Sequence, residues 1–141
     1  MDFPKILYGI NASLLITHEI DSAYWHEWTL FRLPGGIGLF LLLNLVLVAV
    51  VFYGFYQTIT WHKGARGFSG FLGAAGIFAF ALHIYLILAG HPEFRSAISI
   101  GLLVAALLVS TTQLVFVVFF WPGNPQAGDA HRNHETRGGR L

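Results

Sequence analysis

Two histidines and three carboxylates crowd one short stretch, Thr17-His18-Glu19-Ile20-Asp21-Ser22-Ala23-Tyr24-Trp25-His26-Glu27-Trp28. The stretch closes an apolar run that starts at Ile6. Ionisable side chains beside lipid-like sequence are costly, and they mark sites of function more often than accidents of composition. On a helix, Asn11, His18, Asp21 and Trp25 share one face at spacings of seven, three and four. A histidine and a carboxylate three residues apart can hold one ion together, as Glu-x-x-His pairs do in di-metal bundles. The deepest histidine of the chain, His83, is the natural complement, with His91 and Glu19 as further donors. Such a nitrogen and oxygen set suits zinc, or iron where two positions stay open. A divalent metal there would polarise a carbonyl or generate hydroxide, and Glu19 could serve as the catalytic base. Asn44 is expected beside this set as a supporting group.

Each of these residues also has a purely structural reading. His83 alone is more often a histidine bonded to a neighbouring helix. His18 and Asp21 could be an ion pair or a helix-end cap. His26, Glu27, Trp28 and His62 read as interfacial residues, and His131 and His134 as part of a polar tail.

What positions the cluster is a chain that is 55% hydrophobic and 11% charged, where a soluble domain is about a quarter charged. Leu33–Trp61, Gly67–Pro92 and Ser96–Gly128 contain no Asp, Glu, Lys or Arg. Each exceeds the roughly 20 helical residues that cross a bilayer. With no cysteine in 141 residues, disulfides, thiolate nucleophiles and iron–sulfur ligation are excluded. The N-terminus lacks the cleavage site of a signal peptide, and nothing in the composition suggests nucleic-acid binding.

The expected fold is all-α: an integral membrane, antiparallel four-helix bundle over residues 1–122, with helices at about 5–25, 37–60, 68–90 and 97–121. A disordered polar tail over 123–141 is expected to follow. Pro4 suits a first helical turn, Leu33-Pro34-Gly35-Gly36 reverses the chain, and His91-Pro92 ends the third span. In that span Gly70, Gly73 and Gly76 form a small-residue face for helix packing. Four spans put Lys5, Lys63, Arg66, Arg132, Arg137 and Arg140 on one side and Arg32 and Arg95 on the other. The excess of positive charge then places both termini in the cytoplasm of a bacterial-type inner or plasma membrane. His18, Glu19, Asp21, Asn44, His83 and His91 all fall toward the external face.

The pattern His18-x-x-Asp21 near the end of a first membrane helix resembles a small uncharacterised integral membrane family named for its HXXEE motif. Asp21 stands where that motif has its first Glu, and Ser22 where it has its second. The resemblance implies a four-helix plan, a later histidine and glycine matched by His83 and Gly90, and an enzyme with no assigned reaction. Three functions are therefore expected to compete. The first is a metal or proton-handling site, metal-dependent enzyme included, acting on a lipid-like molecule. The second is a non-catalytic subunit or assembly factor that docks a membrane partner, or a second copy, through the glycine face. The third is an ion translocator, for which Thr112 and Gln113 would have to supply the cytoplasmic half of the path.

Overall fold

The computed structural model describes residues 2–91 and 96–121. The expected tail, 123–141, lies outside the described residues, as do Pro92 and Arg95. All regular structure among the described residues is helical: α1 Phe3–Tyr24, α2 Glu27–Leu30, α3 Gly36–Ile59, α4 Ala65–Leu88 and α5 Ala97–Val115, which continues as a π-helical turn, Phe116–Phe120.

Three of these, α3, α4 and α5 with its π turn, are each 24 residues long and apolar enough to cross a membrane. At 1.5 Å per residue they reach about 36 Å, more than the roughly 30 Å of hydrocarbon to be spanned. The outward face of α3 confirms the solvent it is built for. Leu41, Leu42, Leu43, Leu45 and Val46 are all more than half exposed, an apolar patch that water would not tolerate. The chain is an integral membrane protein.

The helix ends follow from local chemistry. Pro4 sits in the first turn of α1, where its missing N–H costs nothing. Ser96 caps α5 by accepting from Ser99 N at 3.0 Å. Helix α4 stops before the expected His91-Pro92 pair. Gly90 turns left-handed at φ +96°, while His91 N bonds back to Leu86 O at 3.1 Å. That glycine-terminated end satisfies carbonyls a proline stop would leave bare.

In the interior, polar groups rather than apolar surface tie helix to helix, as expected where lipid supplies no hydrophobic drive. Asn11 of α1 donates to Gln113 Oε1 of α5 at 2.8 Å and accepts from Ser110 Oγ at 3.0 Å. Gln113 Nε2 in turn donates to the carbonyl and hydroxyl of Ser69 in α4, both at 2.9 Å. Tyr8 links α1 to α3 through Val51 O at 3.0 Å. Around this layer lie Ala12, Leu15, Leu72 and Ala106.

Glycine sets the closest approaches. A Cβ on Gly54 would overlap the Tyr8 hydroxyl and lie 2.9 Å from Phe68 Cβ, so α3 and α4 touch there. A Cβ on Gly73 would lie 2.9 Å from Leu114 Cγ, and one on Gly76 would overlap Ser110 Oγ, whereas at Gly70 it would meet Val117 at an ordinary 3.6 Å. The glycine face of α4 is thus filled by α5 of the same chain.

Aromatic contacts gather one end of the molecule. Phe3 meets Phe116, Trp61 meets Trp121, and Lys5 lies 5.9 Å over the Trp61 ring. At the other end Trp28 packs on Phe40 with ring centroids 5.4 Å apart.

Candidate functional site

The last two turns of α1 and the second half of α4 bring His18 and His83 together. Their rings meet edge to face with centroids 4.5 Å apart, and the two residues are 2% and 1% exposed. His18 reaches this point because positions 4, 8, 11, 15, 18 and 22 form the buried stripe of α1, a seven-residue repeat on one side of a helix. His83 lies ten residues beyond Gly73 on α4, and its Nδ1 donates to Ala79 O one turn back at 2.8 Å. A carbonyl can only accept, so Nδ1 carries a proton.

The group facing Nε2 is Glu27, with Oε1 3.9 Å from it and only 8% of the residue exposed. Sequence reasoning assigned Glu27 to the membrane surface. The structure instead turns the chain back at His26, which adopts a left-handed φ of +57°, and starts the four-residue helix α2 at Glu27. Trp28 anchors that helix on Phe40, and the Glu27 carboxyl enters the bundle. No proline or glycine announces this reversal. The one available signal was the Trp25-His26-Glu27-Trp28 run itself, whose two indoles can wedge a tight turn against the bundle.

His18, Glu19, Glu27 and His83 line one end of a cavity of about 290 Å³ enclosed by α1, α3 and α4. The rest of its wall is apolar, with Leu15, Val51 and Leu72 deep inside and Phe71 and Phe78 at the rim. Phe71 and Phe78 are themselves more than half exposed, so the cavity opens sideways toward lipid.

The remaining residues singled out in the sequence are placed as follows. Glu19 is half-buried beside Asn44 and within electrostatic reach of Glu27, while Asn44 Nδ2 donates to Phe40 O of its own helix at 3.2 Å. Asp21 is half-buried and close enough to His18 for their charges to interact, yet neither it nor Asn44 borders the cavity. His91 stands past the end of α4, away from the cavity wall. Gln113 and Thr112 do not continue a polar path: Gln113 is spent on Asn11 and Ser69, and Thr112 bonds Leu108 O on an exposed face. Among the described residues no group of three or more histidines or carboxylates is arranged to hold a metal ion. Of the set His18, Asp21, His83 and His91, the fold brings His18 and His83 into ring contact.

Four polar atoms in the last turns of α1 are buried and have no hydrogen-bond partner among the described residues: His18 Nδ1, Asp21 Oδ2, Ser22 Oγ and Trp25 Nε1. Each such atom costs about 1–3 kcal/mol, and their concentration in two helical turns sets this region apart from the satisfied layer at Asn11.

A family model described as a family of unknown function, DUF6713, matches residues 4–119, and the chain belongs to that family. No curated protein and no solved structure matches the chain. The family is uncharacterised, as the resemblance to the HXXEE-type proteins implied, but the match carries no information on the His18-x-x-Asp21 motif.

Proposed function

We propose that this member of a family of unknown function is an antiparallel four-helix membrane protein that binds a lipid-like molecule at a proton-handling histidine–glutamate site. The observation that carries the reading is the juxtaposition of His18, His83 and Glu27, all buried, at the closed polar end of an otherwise apolar, lipid-facing cavity. Glu27 Oε1 faces His83 Nε2 at 3.9 Å, within ion-pair range, while Nδ1 donates to Ala79 O; a proton passes between the two groups once a bound molecule or a small side-chain movement closes that gap. The edge-to-face partner His18 couples to that proton. A bound molecule whose polar end enters the cavity meets a general acid and a general base within one side-chain length of each other. The catalytic base moves accordingly from Glu19 to the Glu27–His83 pair, with Glu19 on the same wall.

On this reading the chain crosses four times, with the site near the external face and both termini in the cytoplasm. In support, α1 at 22 residues is nearly as long as α3 and α4. The start of α1, the α3–α4 connection and the π turn meet at one end through Phe3, Trp61, Phe116 and Trp121. That end carries Lys5, Lys63 and Arg66, and Arg32 lies at the other, the asymmetry of a cytoplasmic and an external side. An assembly role through Gly70, Gly73 and Gly76 loses its motive, because α5 fills that face.

The test is ¹⁵N-imidazole NMR of the protein in lipid nanodiscs at one pH. Glu27→Gln is expected to move the ring-nitrogen signals of both His83 and its edge-to-face partner His18 while leaving exposed His62 unchanged. His18 and His83 signals that do not respond to Glu27→Gln would overturn the reading.

A further inference from the structure

The polar end of the cavity has a definite electrostatic character. Of its four ionisable wall residues two are carboxylates, Glu19 and Glu27, and no Lys or Arg lines the cavity. The two carboxylates act on each other electrostatically, and like charges held at one apolar site are relieved by a cation between them. His18 adds a buried Nδ1 with no hydrogen-bond partner among the described residues, and it lines the same cavity. This end is built to receive hydrogen-bond donors and positive charge, and to repel a fatty acid or phosphate.

The apolar part fixes the rest of the ligand. From His83 to Phe71 along α4 is 12 residues, about 18 Å at 1.5 Å per residue. That is close to one leaflet, half of the roughly 30 Å hydrocarbon layer. At about 290 Å³ the cavity stands at the bottom of the roughly 300–1,000 Å³ range of small-molecule sites, room for one chain and not two. The mouth lies between exposed Phe71 and Phe78, so entry is from lipid, sideways.

Resting on the proton-handling reading of the same site, we propose that the cavity takes a single-chain alkylamine from the bilayer, its ammonium held between Glu19 and Glu27 and its chain laid along α4 toward Phe71. An ammonium offers three donors, enough for both carboxylates and the free nitrogen of His18. An ammonium deep in lipid without such partners would be expensive, which gives the amine its preference for the protein over bulk bilayer.

The experiment measures saturable binding of radiolabelled dodecylamine to protein-loaded nanodiscs, with empty nanodiscs subtracted, and competition by unlabelled dodecanoate and 1-dodecanol. One amine per protein is expected, displaced by unlabelled amine and not by dodecanoate. Glu19→Gln/Glu27→Gln, which conserves shape, is expected to weaken binding at least tenfold. Ala79→Phe, which fills the cavity and leaves the carboxylates in place, is expected to abolish it. Binding no greater than in empty nanodiscs, equal displacement by dodecanoate, or undiminished binding in the double glutamine variant would each overturn the proposal. His18 and His83 signals that respond to Glu27→Gln alongside absent amine binding would refute the ligand and leave the proton site standing. Amine binding alongside imidazole signals indifferent to Glu27→Gln would do the reverse.

Discussion

Replacing Gln113 with leucine tests the claim that buried polar contacts, rather than apolar burial, hold this bundle together. The side chains are similar in volume, so the change leaves no large cavity. What it removes is countable: the bond from Asn11 Nδ2 at 2.8 Å and the two from Gln113 Nε2 to Ser69 O and Oγ at 2.9 Å. Interhelical hydrogen bonds in membranes average about 0.6 kcal/mol and reach about 1.7, so three together contribute about 2 kcal/mol. The change also strands the Asn11 amide as a buried donor, which adds about 1–3 kcal/mol. A loss of about 3–5 kcal/mol is therefore expected. The assay is reversible unfolding in mixed detergent micelles, followed by circular dichroism. Thr112→Val is the control, because its hydroxyl bonds only Leu108 O on an exposed face; it is expected to cost less than about 0.5 kcal/mol. Asn11→Leu/Gln113→Leu should cost less than the two single changes summed, since removing both partners leaves fewer orphans. A Gln113→Leu loss no greater than that of Thr112→Val would refute the reasoning, whatever the function of the protein.

Two further outcomes are expected. Gly76→Ala forces its new methyl into Ser110 Oγ and should cost about 1–3 kcal/mol, with part recovered in Gly76→Ala/Ser110→Ala; equal stability of both variants in the same micelle assay would show that α4 and α5 do not pack as described. The chain has no cysteine, so Lys63→Cys and Arg32→Cys can each be labelled singly with a membrane-impermeant maleimide on intact cells. Arg32→Cys should react from outside and Lys63→Cys only after lysis, and the opposite pattern would invert the proposed topology.

The membrane character was legible because it depends on composition and run length, which survive without any knowledge of packing. The meeting of His18 with His83 was legible for a related reason. It needs only a helix repeat and the alternation of direction between successive spans. Asp21 and Glu27 were not legible. Position 21 lies next to the buried stripe that 18 and 22 occupy, and a rotation of a few tens of degrees about α1 decides whether it borders the cavity. Glu27 depends on a left-handed residue at His26, which a non-glycine residue adopts only when its surroundings impose it. The glycine face on α4 was visible as a packing surface, but small residues at spacings of three and four serve an internal helix and a foreign one equally well. Only the position of Ser110 and Leu114 decides between them.

The two polar layers of the bundle differ in a way that separates structure from function. Asn11 and His18 are seven residues apart on the same stripe, about 10 Å along α1. At the lower level every amide and hydroxyl of Asn11, Gln113, Ser69 and Ser110 has a partner from another helix. Such a network specifies one arrangement of α1, α4 and α5 and needs nothing from outside. At the upper level His18, Asp21, Ser22 and Trp25 each keep a buried polar atom without a partner among the described residues. A chain able to build the lower layer could have satisfied the upper one, or replaced it with leucine at a gain in stability. Leaving these donors and acceptors unmatched costs several kcal/mol in total at about 1–3 each, and of the four residues His18 is the one that lines the cavity. At His18, on the reading proposed above, a molecule in the cavity supplies the missing partner, whereas the layer at Asn11 is complete within the chain.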